Sequence, residues 1–457
     1  MYRGDSGVIL KVPNGTLIGY DHTGVTLRLS EQVVADLRDR LGLEPDADAL
    51  RDAAYRIGDI DAWNLRIEKD WIKFDAKLPG YDYPRGFCRS LTGGDIVADS
   101  TGPVLGVFSL GGARRAEGTS RNPLYSAHVL SACDDIGAVG MAGVDPAPET
   151  ELLEQQREET QDTRATKALL ARRQKRAQSL PICVVRAETD ESTTISELST
   201  GEAMRNLRTA IFNLTRSAKH LDRPAKILAI TIDFGAEDMV TKEAEYVATL
   251  RKIMAEITEF VGSLHLHEPL FLLRDNALNT KANAYWQVLT FLCDFNVILP
   301  NPDYVLVRDR FGRLTPESLE RAAQTDAIVL EHHQSRVPWA CPVFLLAETL
   351  ADQNAIRVNA QSLEPLNLSA EPSFEVGGVF GFKLLGAGDT EITAVELDAD
   401  DPKSLILSTS EPITAGAGVT LEYAMENGGA ICDMWLDDET GIRRWALPCR
   451  LEVQKGC

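Results

Sequence analysis

The chain has 457 residues, with 47 Lys and Arg against 68 Asp and Glu and a formal net charge of −21. A hydrophobic fraction of 44% is that of a globular protein rather than a disordered one, and the length accommodates two to four domains at ~100–200 residues each. No run of ~18 apolar residues is present, Met1-Tyr2-Arg3-Gly4-Asp5 carries no signal-peptide core, and the acidity disfavours phosphate backbones; membrane insertion and nucleic-acid binding are therefore not expected.

The charge is unevenly spread. Residues 1–100 hold 13 basic and 17 acidic groups, while residues 351–457 hold 7 basic and 18 acidic, so the last quarter supplies about half of the excess. The 8 cysteines form no CxxC pair, so neither a zinc ribbon nor a thioredoxin-like site is indicated, and buried, reduced thiols are the expectation.

Residues 7–12 and 26–29 read as short strands. Ser30 is placed to cap a helix running to about Leu41. Trp63, Leu65, Ile67, Trp71 and Ile72 mark an apolar stretch, after which Gly and Pro become frequent up to Pro103. From 104 to about 350 the rhythm changes. Apolar runs at 104–110, 182–185, 227–232, 270–273 and 297–299 alternate with helical patterns at 199–221, 242–260, 276–291 and 316–332. Strand–helix alternation over this length predicts an α/β, doubly wound parallel sheet with helices on both faces.

Residues 149–178 read as a polar helical insert. Six acids and one Arg occupy 149–162, and six basic groups with no acid occupy 163–178, an order that suits the helix dipole. A solvated surface helix is expected, or an arm that touches another subunit. After about Ala351 the helices stop. Gly-punctuated patterns at 374–385, 391–397, 404–408, 419–425 and 443–447 predict an antiparallel sandwich or jelly roll. The expected division is thus 1–103, 104–350 and 351–457.

Gly4-Asp5-Ser6 matches the core of a GDS hydrolase motif but lacks the strand that would place its serine, and reads as a tail or turn. His265-Leu266-His267 would point two rings to one side of a strand, yet no companion Cys or carboxylate cluster lies nearby, and no metal is expected. His332-His333 closes a helix pattern, where an imidazole suits the C-terminal dipole. Asp398, Asp400, Asp401, Asp437, Asp438 and Glu439 read as solvated loops rather than Ca²⁺ ligands. The stretch 226–238 is the most informative: a buried strand, then Phe234-Gly235-Ala236-Glu237-Asp238, then a helix with Tyr246, Leu250 and Ile253. In a doubly wound sheet ligands sit at the carboxyl ends of strands.

Here the chain resembles the SGNH hydrolases, specifically the sialate-type carbohydrate acetylesterases and the related domains of bacteriophage or gene transfer agent fibre and spike proteins. Their Gln-Gly-Glu-x-Asp block resembles 234–238, with Gly235 and Asp238 matching. Their Gly-Gln-Ser-Asn-Ala-Glu-Gly nucleophile block resembles Gly112-Ala113-Arg114-Arg115-Ala116-Glu117-Gly118. Their Gly-Gly-Thr-Ser-Ile oxyanion block resembles Glu191-Ser192-Thr193-Thr194-Ile195. Their Asp-x-x-His-Leu-Thr-Pro-Glu block resembles Arg310-Phe311-Gly312-Arg313-Leu314-Thr315-Pro316-Glu317. Residues 419–423, Ala430-Ile431-Cys432-Asp433 and Trp445-Ala446-Leu447-Pro448 resemble the closing β domain of the phage-type members.

Ester hydrolysis on that scaffold needs a hydroxyl nucleophile, a His base and oxyanion donors. The corresponding positions hold Arg114 (or Ala113), Arg313 and Glu191. The resemblance therefore implies a pseudo-hydrolase with no catalytic residue and no cofactor. Its degenerate cleft would hold Arg114, Arg115, Glu191, Asp238 and Arg313, where the arginines either pair with acidic sugars or pair internally. Trp435 and Trp445 would stack on sugars or lie in the sandwich core. What the resemblance implies for the whole is a virion-type spike or fibre protein at a particle surface, folded in a bacterial cytoplasm. It would be a homo-oligomer that contacts other particle proteins and cell-surface polysaccharide, with residues 1–103 as the attachment region. The alternative is an active carbohydrate O-acetylesterase with His332 or His333 as base.

Overall fold

A computed structural model describes the chain apart from residues 1–6, 13–14, 22–23, 28–46, 113–121, 136–145, 190–193, 236, 275–288, 290, 293, 351–353, 414–417 and 457. Three strands, β1 (Gly7–Val12), β2 (Gly15–Asp21) and β3 (Gly24–Leu27), form an antiparallel sheet. The helices expected at 30–41 and 276–291 fall outside the described residues, positions 289 and 291 excepted.

Helix α1 (Ala47–Ile57) precedes a four-stranded antiparallel meander: β4 (Ala62–Glu68), β5 (Trp71–Ala76), β6 (Arg85–Ser90) and β7 (Gly93–Ala98). In β5 the alternation is strict, with Ile72, Phe74 and Ala76 buried. That period of two lays one face of the meander onto apolar neighbours. Ala53, Phe74 and Phe87 share a core with Leu105, Val107 and Val129, so this region is packed into the α/β body rather than extended from it.

The central sheet has seven strands. They are β8 (Val104–Gly111), β9 (Val129–Ala132), β10 (Leu153–Gln155), β11 (Cys183–Thr189), β12 (Ala225–Asp233), β13 (Leu270–Leu273) and β14 (Val297–Ile298), in the order β10-β9-β11-β8-β12-β13-β14. All neighbours run parallel except the β10 edge. Both faces are covered, which is why β8 reads as an unbroken buried run.

Helices α2 (Gln161–Lys175) and α6 (Pro316–Gln334) cover one face together with the meander. Helices α3 (Ile195–Thr200), α4 (Glu202–His220) and α5 (Glu243–Ser263) cover the other. In α4, Met204, Leu207, Ile211 and Leu214 recur at helical spacing and bury one stripe. Thr194 and Glu197 close a reciprocal capping box at the start of α3.

The stretch 149–178 corrects the expectation of a solvated insert or protruding arm. Its residues 153–155 form the sheet edge, and α2 buries Ala165, Ala168, Leu169 and Leu170 against the sheet. Part of its charge is absorbed internally: Lys167 pairs with Glu159 at 2.6 Å and Arg172 with Glu331 at 3.0 Å.

The C-terminal part is β-rich. A seven-stranded sheet contains β15 (Val343–Thr349), β16 (Ala355–Gln361), β18 (Phe382–Leu385), β19 (Ile392–Leu397), β20 (Ser404–Thr409), β21 (Thr420–Tyr423) and β24 (Cys449–Lys455). A three-stranded sheet joins β17 (Leu366–Asn367), β22 (Cys432–Leu436) and β23 (Arg443–Trp445). The larger sheet is mixed rather than purely antiparallel, because Ala347–Thr349 pairs in parallel with Val453–Lys455. The expected stretch 374–385 yields a strand only at its end, since Gly378 and Gly381 take positive φ in tight turns.

Candidate functional site

Every parallel strand ends on the same edge of the central sheet. The chain leaves β8 toward β9 and β11, then crosses back over β8 to β12 and continues to β13 and β14. The carboxyl ends of β8 and β12 thus flank the topological switch point, where an open α/β sheet forms its crevice. Helices α2, α4 and α5 each lead into the amino end of a parallel strand, so their N-terminal amides face that carboxyl edge.

The two strand ends are pressed together there. The Gly112 amide donates to the Asp233 carbonyl at 2.9 Å. A Cβ on Gly111 would lie 2.1 Å from that same carbonyl oxygen, and one on Gly112 would lie 1.6 Å from Glu237 Oε1. Glycine at 111 is required by the close approach of backbone to backbone. Tyr246 on α5 donates its hydroxyl to the Phe234 carbonyl and fixes the turn that follows β12.

Asp238, expected as a cleft ligand, is fully buried and serves the backbone. Its carboxylate accepts from the amides of Ile195 at 2.8 Å, Thr241 at 2.9 Å and Val240 at 3.3 Å. Burial alone would raise its pKa, but these hydrogen bonds outweigh it and hold the group below the usual carboxylate range. The residue ties the β12 turn to the N-terminus of α3 and presents nothing to a ligand.

Arg313 is exposed. Its amide and that of Phe311 donate to Asp309 Oδ1 at 3.0 and 2.8 Å, and Gly312 takes φ +78°, so 308–314 is a compact turn closed by the Arg308–Leu314 bridge. Arg310 lies over the Phe311 ring at 4.7 Å. The matching Leu314-Thr315-Pro316-Glu317 segment is a helix start: Thr315 caps α6 and Pro316 opens it. Arg114, Arg115 and Glu191 lie outside the described residues, as do Gly4-Asp5-Ser6.

Beneath the edge lies a layer of buried polar pairs that sequence reading missed. Ser109 Oγ donates to Asp162 Oδ2 at 2.6 Å, Arg186 pairs with Asp135 at 2.8 Å, and Arg274 pairs with Asp326. Each joins residues more than 50 positions apart, so spacing carries no signal of them. Ser109 is fully buried and acts as a tie between β8 and α2.

The six described histidines are all elsewhere. His128 precedes β9, His220 ends α4, His265 and His267 lie exposed in the connection between α5 and β13, and His332 and His333 end α6. These are positions of the amino edge; His22 lies outside the described residues. The His265-Leu266-His267 segment is a turn, with His265 at φ +56°, and not the strand its alternation suggested. His332 and His333 stand sixteen and seventeen residues along α6 from Pro316, about 24 Å at the helical rise of ~1.5 Å per residue. Their placement corrects the idea of either as base for a carboxyl-edge nucleophile. Burial lowers the pKa of both.

His332 instead packs edge-on against Trp339 and Trp435, and Arg444 lies over Trp435 at 5.3 Å. Trp445 is buried against Phe374, a core residue rather than a sugar platform. Asp437 accepts from Arg172 at 2.9 Å, and Asp398 pairs with Arg357 at 2.6 Å. Cys133, Asp134 and Glu154 bring a thiol and two carboxylates together at the β9–β10 edge. Burial and the two carboxylates push that thiol up to about 11.

No family model and no curated protein sequence matches the chain. Among solved structures, a carbohydrate acetylesterase from Xanthomonas citri is similar at TM-score 0.50 and 9% identity, over 84% of this chain and 96% of that one. NanS aligns at TM-score 0.33 and 8% identity, over 52% of this chain and 99% of that one. The N-terminal part of the bacterial S-layer protein SbsC aligns at TM-score 0.17 and 10% identity, over 58% of this chain and 51% of that one. The likeness to the acetylesterase places the chain in an esterase-like α/β fold with a β-rich region.

Proposed function

We propose that this protein binds glycans on an esterase-type scaffold without hydrolysing them, as a spike or fibre component of a virion or virus-like particle. One observation carries the loss of chemistry: all six described histidines lie on the amino edge, away from the switch point. A serine-type hydrolase needs its imidazole within hydrogen-bond reach of the nucleophile. The position where the resembling family keeps that histidine is Arg313, an exposed cation on a compact turn. The particle context and a symmetric oligomeric state rest on the resemblance of the sequence blocks to phage-type proteins.

A cleft that keeps shape but not chemistry retains sugar recognition through polar side chains, and Arg313 suits a carboxylated sugar. The direct test is equilibrium binding of sialylated and O-acetylated oligosaccharides to wild type and Arg313→Ala. Binding that weakens in the variant, with no acetate released, supports the reading. Binding of neither class removes the carboxyl edge as a glycan site.

A further inference from the structure

A second concave site lies on the opposite edge of the molecule. There the β4–β5 hairpin and the end of β7 meet the segments that lead into β11 and β12, enclosing a cavity of about 360 Å³. That volume is at the lower end of the range for small-molecule sites, ~300–1,000 Å³. Trp71, half-buried, forms an apolar wall, with His220 packed beside it at 4.9 Å between ring centroids. Around them stand charges of both signs. Lys73 Nζ lies 3.0 Å from Glu68 and 3.8 Å from Asp99, and Arg223 lies 3.7 Å from the other oxygen of Asp99.

This lining selects among ligand classes. Lys73 and Arg223 are already matched by carboxylates, so a charged ligand at either would have to displace an existing pair. A hydroxyl can accept from Lys73 or Arg223 and donate to Glu68 or Asp99 with the pairs left in place. The indole supplies an apolar surface for the C–H face of a ring. Chemistry is not provided for. The Cys88 thiol on the cavity wall is pushed up to about 12, chiefly by burial, and Lys73 and Glu68 are each held in their charged forms by the hydrogen bond between them.

We propose that the cavity walled by Trp71, Glu68, Lys73, Asp99, His220 and Arg223 is a binding site for a neutral saccharide. It is separate from the carboxyl-edge cleft and needs no contribution from it. The meander then has a recognition role as well as a packing one.

The test applies the full-length protein to a printed array of neutral, sialylated and sulfated oligosaccharides. Wild type, Trp71→Ala, Asp99→Asn and Arg313→Ala are compared, with circular dichroism confirming the fold of each. The expected result is retention of at least one neutral oligosaccharide that weakens roughly tenfold or more in Trp71→Ala and in Asp99→Asn. If Trp71→Ala fails to fold, Asp99→Asn decides. Retention of acidic glycans alone, or of none, overturns the inference. Loss that follows Arg313→Ala and spares Trp71→Ala also overturns it, while leaving the carboxyl-edge reading intact.

Discussion

The carboxylate of Asp238 accepts the amide of Ile195 at 2.8 Å, across 43 residues of sequence. A residue in the position of a family motif thus works as a helix anchor. With its two further amide donors, Thr241 and Val240, it closes the turn after β12 onto α3. Hydrogen bonds to charged acceptors contribute about 1.5–3 kcal/mol each. Asp238→Ala is expected to destabilise the fold by ~2–4 kcal/mol, and Asp238→Asn by less, as read in urea unfolding. The folded pKa lies below the unfolded one, so the contribution is full above the ordinary carboxylate value of about 3.9 and declines as pH falls through the folded value. An alanine variant as stable as wild type would contradict this role.

His128 gives a second pH signature, of opposite chemical origin. Its Nδ1–H donates to the Pro181 carbonyl at 2.9 Å, and burial lowers its pKa to about 4 from 6.5. Between those values the unfolded chain binds a proton that the folded one does not, so stability rises with pH across that window. The full swing is about 3 kcal/mol. His128→Gln should flatten most of the dependence between pH 4 and 6.5, since His332 and His333 contribute in the same direction. A slope unchanged in His128→Gln would remove His128 as its source.

Arg172 joins three elements. It donates to Glu331 on α6 at 3.0 Å and to both oxygens of Asp437 after β22, at 2.9 and 3.3 Å, while Arg176 also pairs with Glu331. Arg172 and Glu331 are buried. Removing one member of a buried pair strands the other, at a cost of ~3–5 kcal/mol. Because Arg176 still pairs with Glu331, Arg172→Met is expected to lower stability by less than that amount, and Arg172→Met with Glu331→Gln by less than the sum of the two single changes. Additivity in the double variant would show that the two charges are uncoupled.

The sequence reading found the parallel strands β8, β11, β12, β13 and β14 and the helices α4, α5 and α6, because their apolar runs and helical spacing are unbroken. It missed β9 and β10, whose four and three residues are too short for a period to register. It read α2 as solvated because its charges are numerous; what buries them are partners on α6, beyond β22 and at Glu159. At the site, Asp238 and Arg313 were located along the chain, but their roles depend on Ile195 and Asp309, which the motif comparison does not reveal. Thr315 and Pro316, in the matching part of the last block, cap and open α6. The histidines were each visible in sequence; only the direction of the sheet shows that the described ones share one edge.

The central proposal is that this protein binds glycans without hydrolysing them. It is tested most directly by measuring acetate release from p-nitrophenyl acetate and from an O-acetylated sialic acid, using the full-length protein at neutral pH. The account predicts release no faster than with heat-unfolded protein, and no change in His332→Ala or His333→Ala. Saturable release abolished by either substitution would contradict it.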